Sequence, residues 1–276
     1  MSPGAWPMSS LRYDAEARSS LDPRWPPPLI TPRAGRGVCP RCFDLNPDAE
    51  PLCRNCRSGG DQLSAYLPIS YCVGGGWLHQ QIATYKRCAD RSVPHARTAL
   101  AQLLERFLAA HEACLAAAAG VAGFDLITTV PSGSAYPARD NHHPLRELVA
   151  SLPSTAGRHG RILYPSLHRG VERHYDRLRY FSFADLSGAA VLLLDDLWTT
   201  GSSAQSAAAA LRSAGARVVA AVTIGRHLNR AWGENERRLR ALDGEFTLAR
   251  CALCAGRAGP GGAKERPLSP RGRQGP

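Results

Sequence analysis

An α/β fold with a parallel sheet is what this sequence predicts, and three short runs carry the prediction. Phe124 to Val130, Ala189 to Leu194 and Arg217 to Ile224 are dominated by apolar and β-branched residues. Helical patterns precede the first run and separate the last two. Runs without polar alternation suit strands buried on both faces, and helices between them are the crossovers that parallel strands need.

In order along the chain, four parts are expected. Residues 1–37 are rich in Pro, Arg and Ser, include Pro26-Pro27-Pro28 and show no period, which predicts a disordered lead-in. Residues 38–64 hold two Cys-x-x-Cys pairs, and residues 65–255 form the main domain. That domain opens on an extended stretch, Ala65 to Val73, closed by Gly74-Gly75-Gly76. Leu100, Leu103, Leu104, Phe107, Leu108, His111 and Leu115 then recur at three- and four-residue spacing, one apolar helical face ending near Gly120. Phe124 to Val130 feeds the turn Pro131-Ser132-Gly133. Ser202 to Ala214, Ala-rich and closed by Gly215, is the helix before the third strand. Residues 256–276 read as a flexible basic tail. A chain of 276 residues, 44% hydrophobic, is long enough for one sizeable core plus a small module.

The formal net charge of +11 suits an anionic partner, either nucleic acid or a phosphorylated small molecule, although scattered surface Arg explains much of it. No apolar run of about 18 residues is present to span a bilayer, so membrane insertion is not expected. The opening residues carry acids and no apolar stretch, unlike a secretory signal. The expected setting is therefore a reducing cytoplasm, with the nine cysteines as thiols.

Cys39-x-x-Cys42 and Cys53-x-x-Cys56, ten residues apart, have the spacing at which four thiolates close a tetrahedron around one Zn²⁺. A Cys₄ site leaves no open position, so its role is structural. Cys251-x-x-Cys254 is a third pair, either a metal knuckle completed by a partner chain or an idle pair. Cys72, Cys88 and Cys114 lack paired spacing and read as small packing residues.

The segment VLLLDDLWTTGSSAQSAAAAL, residues 191–211, is the most informative. A buried strand runs into two carboxylates, then a turn of hydroxyls and one Gly, then a helix. Free N–H groups at the helix start make a phosphate site, Thr199, Thr200, Ser202 and Ser203 add hydroxyl donors, and Gly201 lets the backbone come close. Asp195 and Asp196 would repel a phosphate but suit neutral hydroxyls, such as those of a ribose. The absence of Gly-Lys-Ser/Thr excludes a Walker-type site.

This string closely resembles the phosphoribosyl diphosphate-binding motif of type I phosphoribosyltransferases. The resemblance implies that fold, with Asp195 and Asp196 as the catalytic, ribose-holding acids and Thr199 to Ser203 on the 5-phosphate. An N-terminal cysteine ribbon before such a domain resembles the ComF family of competence-associated proteins over roughly residues 38–228. Tyr85-Lys86-Arg87 stands in a corresponding place, and Pro131, Ser132, Gly133 and Ser134 would lie near the leaving diphosphate. Where the family continues with Arg-Gly-Phe-Asn-Gln, this chain has Ala138-Arg139-Asp140-Asn141-His142-His143-Pro144-Leu145. Arg139 keeps one positive charge, and His142 and His143 read as loop residues.

Two functions stay open. One is transfer of a phosphoribosyl group to an unspecified acceptor, with Mg²⁺ on the diphosphate and Lys86, Arg87 or Arg139 neutralising it. The other is a non-catalytic protein of DNA uptake or processing that binds single-stranded DNA or a protein partner and keeps a vestigial sugar-phosphate site. No basic stripe interleaved with aromatics is visible in the sequence to favour the latter.

Overall fold

A computed structural model describes residues 29–45, 50–87, 92–131, 143–168, 171, 173–242 and 246–254. The first short helix, α1, is Arg54–Ser58; strand β1 is Ala65–Val73, followed by α2, Trp77–Thr84, and α3, Val93–Ala118. After β2, Leu126–Thr129, come α4, Pro144–Ala150, the short strands β3, Tyr164–Pro165, and β4, Tyr180–Phe181, then β5, Ala190–Trp198. The chain continues through α5, Ser202–Ser213, β6, Val218–Leu228, and α6, Asn235–Ala241.

Four strands form the expected parallel sheet in the order β1-β6-β5-β2, and β3 pairs antiparallel with β4. β1 carries Pro68, which cannot donate to a ladder, and the sheet tolerates it because β1 is an edge strand. The two central strands outrun the apolar cores that predicted them. β5 continues through both aspartates to Trp198 because β6 pairs with it as far as Arg226. β2, the other edge strand, pairs with β5 and carries one bridge, Ile127 to His159, on its outer side; it is shorter than its run.

Helices flank the sheet. Every residue expected on the apolar face of α3 is buried, His111 included. A buried Leu or Phe side chain contributes ~1.5–3 kcal/mol over an exposed one, so this face, packed on β1 and β6, holds the helix. Gly120 ends it in a left-handed conformation, φ +74°. α5 lies on β5 and β6, and its buried alanines (Ala204 and Ala207 to Ala210) let it sit close.

Two sets of contacts join the N-terminal parts to the sheet. From Leu29 on, the stretch expected to lack a core belongs to the fold: Leu29 is buried, and Ile30 bridges to Tyr71, whose N–H donates to the Ile30 carbonyl at 2.9 Å. The two Cys-x-x-Cys pairs do not form a separate lobe, because all four cysteines share one continuous core with the sheet. The expected tail, 256–276, lies outside the described residues.

Candidate functional site

Ligands of parallel α/β sheets bind beyond the carboxyl ends of the strands, and here β5 delivers Asp195 and Asp196 to that edge. Being consecutive in an extended strand, they diverge. Asp196 is buried; its Oδ2 accepts a short hydrogen bond from the Tyr85 hydroxyl and an ion pair from Lys86 Nζ at 2.7 Å. Burial, then the Asp196 charge, push the Tyr85 hydroxyl well above its usual range, so it stays a donor. Asp195 is half-buried and pairs in register with Thr223; its Oδ1 accepts from the Asp196 N–H at 2.9 Å. Burial and the neighbouring Asp196 charge push Asp195 up to about 8, against an opposing pull from Lys86.

The turn after β5 has the anticipated layout. Thr199 is exposed, Thr200 and Ser203 half-buried, Gly201 and Ser202 buried. Gly201 caps α5 at φ +83°, and a Cβ there would come within 2.1 Å of the Trp198 ring. Only glycine meets both demands. The first N–H groups of α5 have no intrahelical partner, as at any helix start, and carry the positive end of its dipole. The Thr200 hydroxyl bridges the Arg173 carbonyl (3.3 Å) and Ser202 Oγ (3.1 Å). Arg179 brings a guanidinium to Ser203, Nη1 to Oγ 3.4 Å, a cation beside the turn that the sequence reading did not single out. Pro131, two residues beyond β2, accepts at its carbonyl from the Tyr180 hydroxyl at 3.3 Å. Ser132, Gly133, Ser134, Arg139 and His142 lie outside the described residues, while His143 caps α4, accepting from the Arg146 N–H.

Behind the turn sits Arg226, a fully buried cation in a mostly apolar strand. Its guanidinium pairs with Asp44 at 3.0 Å and donates to the Cys42 carbonyl at 3.0 Å and to the carbonyls of Trp198 and Thr199 at 3.3 Å each. One side chain thus ties the first cysteine pair to the hydroxyl turn. Trp198 packs on Tyr66 with the rings tilted by 32° and their centroids 4.1 Å apart.

Cys39, Cys42, Cys53 and Cys56 converge as the spacing predicts. All are buried thiols, and their four sulfurs lie within 4.8 Å of one another. The first pair sits in a loop closed by the Val38–Leu45 bridge; the second starts at Cys53, the N-cap of α1, where helix-end amides favour thiolate. Hydrogen bonds from Cys42, Cys53 and Cys56 hold the Cys39 thiol far below its usual range, while Cys39 pushes Cys56 up. Sulfurs crowded into sharing protons fit a divalent cation, so the residues suit a closed, structural Zn²⁺ site.

Cys251 and Cys254 also find company, but within the chain. With His111 and Cys114 of α3 they form a second group of four ligand atoms within 4.8 Å. Cys114 was read as a packing residue and His111 as part of an apolar face. Only the fold brings α3 and the C-terminal segment together. Among the described residues no comparable group of His, Cys, Asp and Glu lies at the hydroxyl turn.

Compared with known proteins, the chain matches no family model and no curated protein.

Proposed function

We propose that the protein binds a ribose 5-phosphate-type ligand, phosphoribosyl diphosphate or a close relative, in keeping with the resemblance to type I phosphoribosyltransferases and the ComF family. One observation carries this reading. A helix start led by a left-handed Gly201 lies directly beyond two strand-end aspartates, with Arg179 beside it. Helix-end amides, Ser and Thr hydroxyls and a guanidinium suit a phosphate monoester. The aspartates suit the diol at the far end of the same sugar, with Lys86 close enough to exchange Asp196 for a ligand anion.

Phosphoribosyl transfer follows from the same reading as its catalytic extension: the protein positions the sugar, and the diphosphate leaves with Mg²⁺. The first cysteine cluster, in this reading, holds one structural Zn²⁺ and braces the turn through Arg226.

Calorimetric titration with phosphoribosyl diphosphate and Mg²⁺, then with ribose 5-phosphate alone, tests the proposal. Asp196→Asn is expected to weaken binding at least about tenfold, ~1.4 kcal/mol. Ser203→Asp separates binding from folding, because an acid in the first helical turn favours the helix yet repels a phosphate. It should abolish binding without lowering the melting temperature. Undiminished binding by Ser203→Asp, or no binding by the wild type, removes the reading.

A second reading, as a single-stranded nucleic acid binder, is favoured by a separate surface feature. Tyr164, Phe181 and Phe183 cluster with ring centroids 4.9–6.1 Å apart, Phe183 is 85% exposed, and Arg161 lies 5.2 Å from the Tyr164 ring. Bases stack on such platforms for ~1–3 kcal/mol each. Anisotropy with a labelled oligonucleotide should then fall steeply with salt and with Phe183→Ala; indifference to both would exclude it.

A further inference from the structure

We propose that His111, Cys114, Cys251 and Cys254 form a second metal centre, a closed Cys₃His zinc site that staples the C-terminal segment to α3. The site lies apart from the hydroxyl turn and does not depend on the ligand reading.

The four ligand atoms lie within 4.8 Å of one another, close to the spacing of a tetrahedral site. Zn–S bonds of about 2.3 Å and a Zn–N bond of about 2.0 Å place ligand atoms roughly 3.5–3.8 Å apart. Cys251 Sγ and Cys254 Sγ are 3.4 Å apart, and His111 Nδ1 lies 3.7 Å from Cys114 Sγ and 3.9 Å from Cys254 Sγ. His111 and Cys114, three residues apart on α3, present one face of the helix. Cys251 and Cys254 form a tight knuckle, in which the Cys254 N–H donates to the Cys251 carbonyl at 3.2 Å and the Cys251 N–H points at Cys254 Sγ, 3.1 Å away. An amide aimed at a sulfur stabilises the thiolate that a metal requires.

A second, independent observation concerns the imidazole. His111 Nε2 is 2.8 Å from the Leu248 carbonyl, which can only accept, so Nε2 carries the proton. Nδ1 is left with its lone pair among three sulfurs. Metal-bound histidines are oriented in this way, the far nitrogen donating to a backbone carbonyl. The Phe107 ring, 4.9 Å away, packs against the imidazole. A packing histidine has no need of three thiols around its bare nitrogen.

Three thiolates and one imidazole select zinc over the hard cations, and four protein ligands leave no open position for catalysis. The function is mechanical. Residues 246–254 contain no helix or strand, yet Phe246, Cys251 and Ala252 are buried in the main core. A metal held jointly with α3 supplies the anchoring that a segment without regular structure lacks.

Metal analysis of the full chain, purified in a thiol reductant, tests the centre. Wild type is expected to hold two zinc ions per chain and Cys251→Ser/Cys254→Ser one. Wild type with one ion that the double variant loses, and Cys39→Ser/Cys53→Ser keeps, also supports this centre while removing the first. A double variant that holds as many ions as wild type, or a wild type that holds none, overturns it. Should the variants fail to fold, peptide-resolved alkylation of wild type decides instead. Cys114, Cys251 and Cys254 should label at least tenfold faster after chelation. Equal labelling with and without chelator, or a Cys251–Cys254 disulfide in the reductant-purified protein, contradicts the proposal.

Discussion

Gly201 is under two constraints at once, a left-handed backbone at φ +83° and the Trp198 ring where a Cβ would stand. Gly201→Ala should therefore destabilise by at least ~2 kcal/mol in urea unfolding, combining backbone strain with a clash. In a Trp198→Ala background the same change should cost less but not nothing, since the clash is gone and the strain remains; strictly additive losses would show that the two residues do not interact. Asp195 yields a pH prediction. Its carboxyl is raised to about 8, so between the ordinary carboxylate range and that value the folded state binds the extra proton. Stability is then present at low pH and lost as pH rises through the folded value. Asp195→Asn should flatten this slope in urea midpoints measured across that window; an unchanged slope would place the titration elsewhere. The residues legible in the sequence were those whose neighbours in space are neighbours in the chain: the two aspartates, the hydroxyl turn and each Cys-x-x-Cys. Tyr85 meets Asp196 across 111 residues, and Arg226 meets Cys42 across 184, so neither role leaves a local trace.

At the level of elements, length and periodicity decided what could be read. α3 repeats its apolar spacing from Leu100 to Leu115, and β5 opens on an unbroken apolar run, Ala190 to Leu194, so both stand out. α2, α4 and the β3–β4 pair are too short to establish a period, and they escaped the sequence reading. β6 shows where apolar patterning misleads. Its run was expected to stop at Ile224, yet the strand continues to Leu228 and carries Arg226 inward, because Asp44 and four backbone carbonyls receive the guanidinium. Removing one partner of a buried pair costs ~3–5 kcal/mol. Arg226→Met should thus lower stability on that scale in urea unfolding, and Arg226→Lys, lacking the planar fork, should recover little. A loss below about 1 kcal/mol would mean that the guanidinium does not brace the turn.

Among the described residues the first cysteine module, the sheet and the C-terminal segment share one main core, and a smaller cluster of Leu45, Tyr71, Val73, Leu228 and Leu239 packs separately. Composition suggested separable parts because cysteine-rich and Pro-rich stretches look unlike the apolar strands. Packing joins them through contacts that composition does not register, such as Ile30 on Tyr71 and Arg226 on Cys42. Stripping metal with a strong chelator should consequently lower the melting temperature of the entire domain in one transition. Two separated transitions would indicate an independent module. The central claim, that the turn after Asp195 and Asp196 grips a sugar phosphate, is tested most directly by hydrogen exchange of the backbone amides with and without ribose 5-phosphate. The account predicts that protection rises at residues 199–204, the turn and the first helical amides. Protection confined to other segments, or exchange at those amides unchanged at saturating ligand, would contradict it.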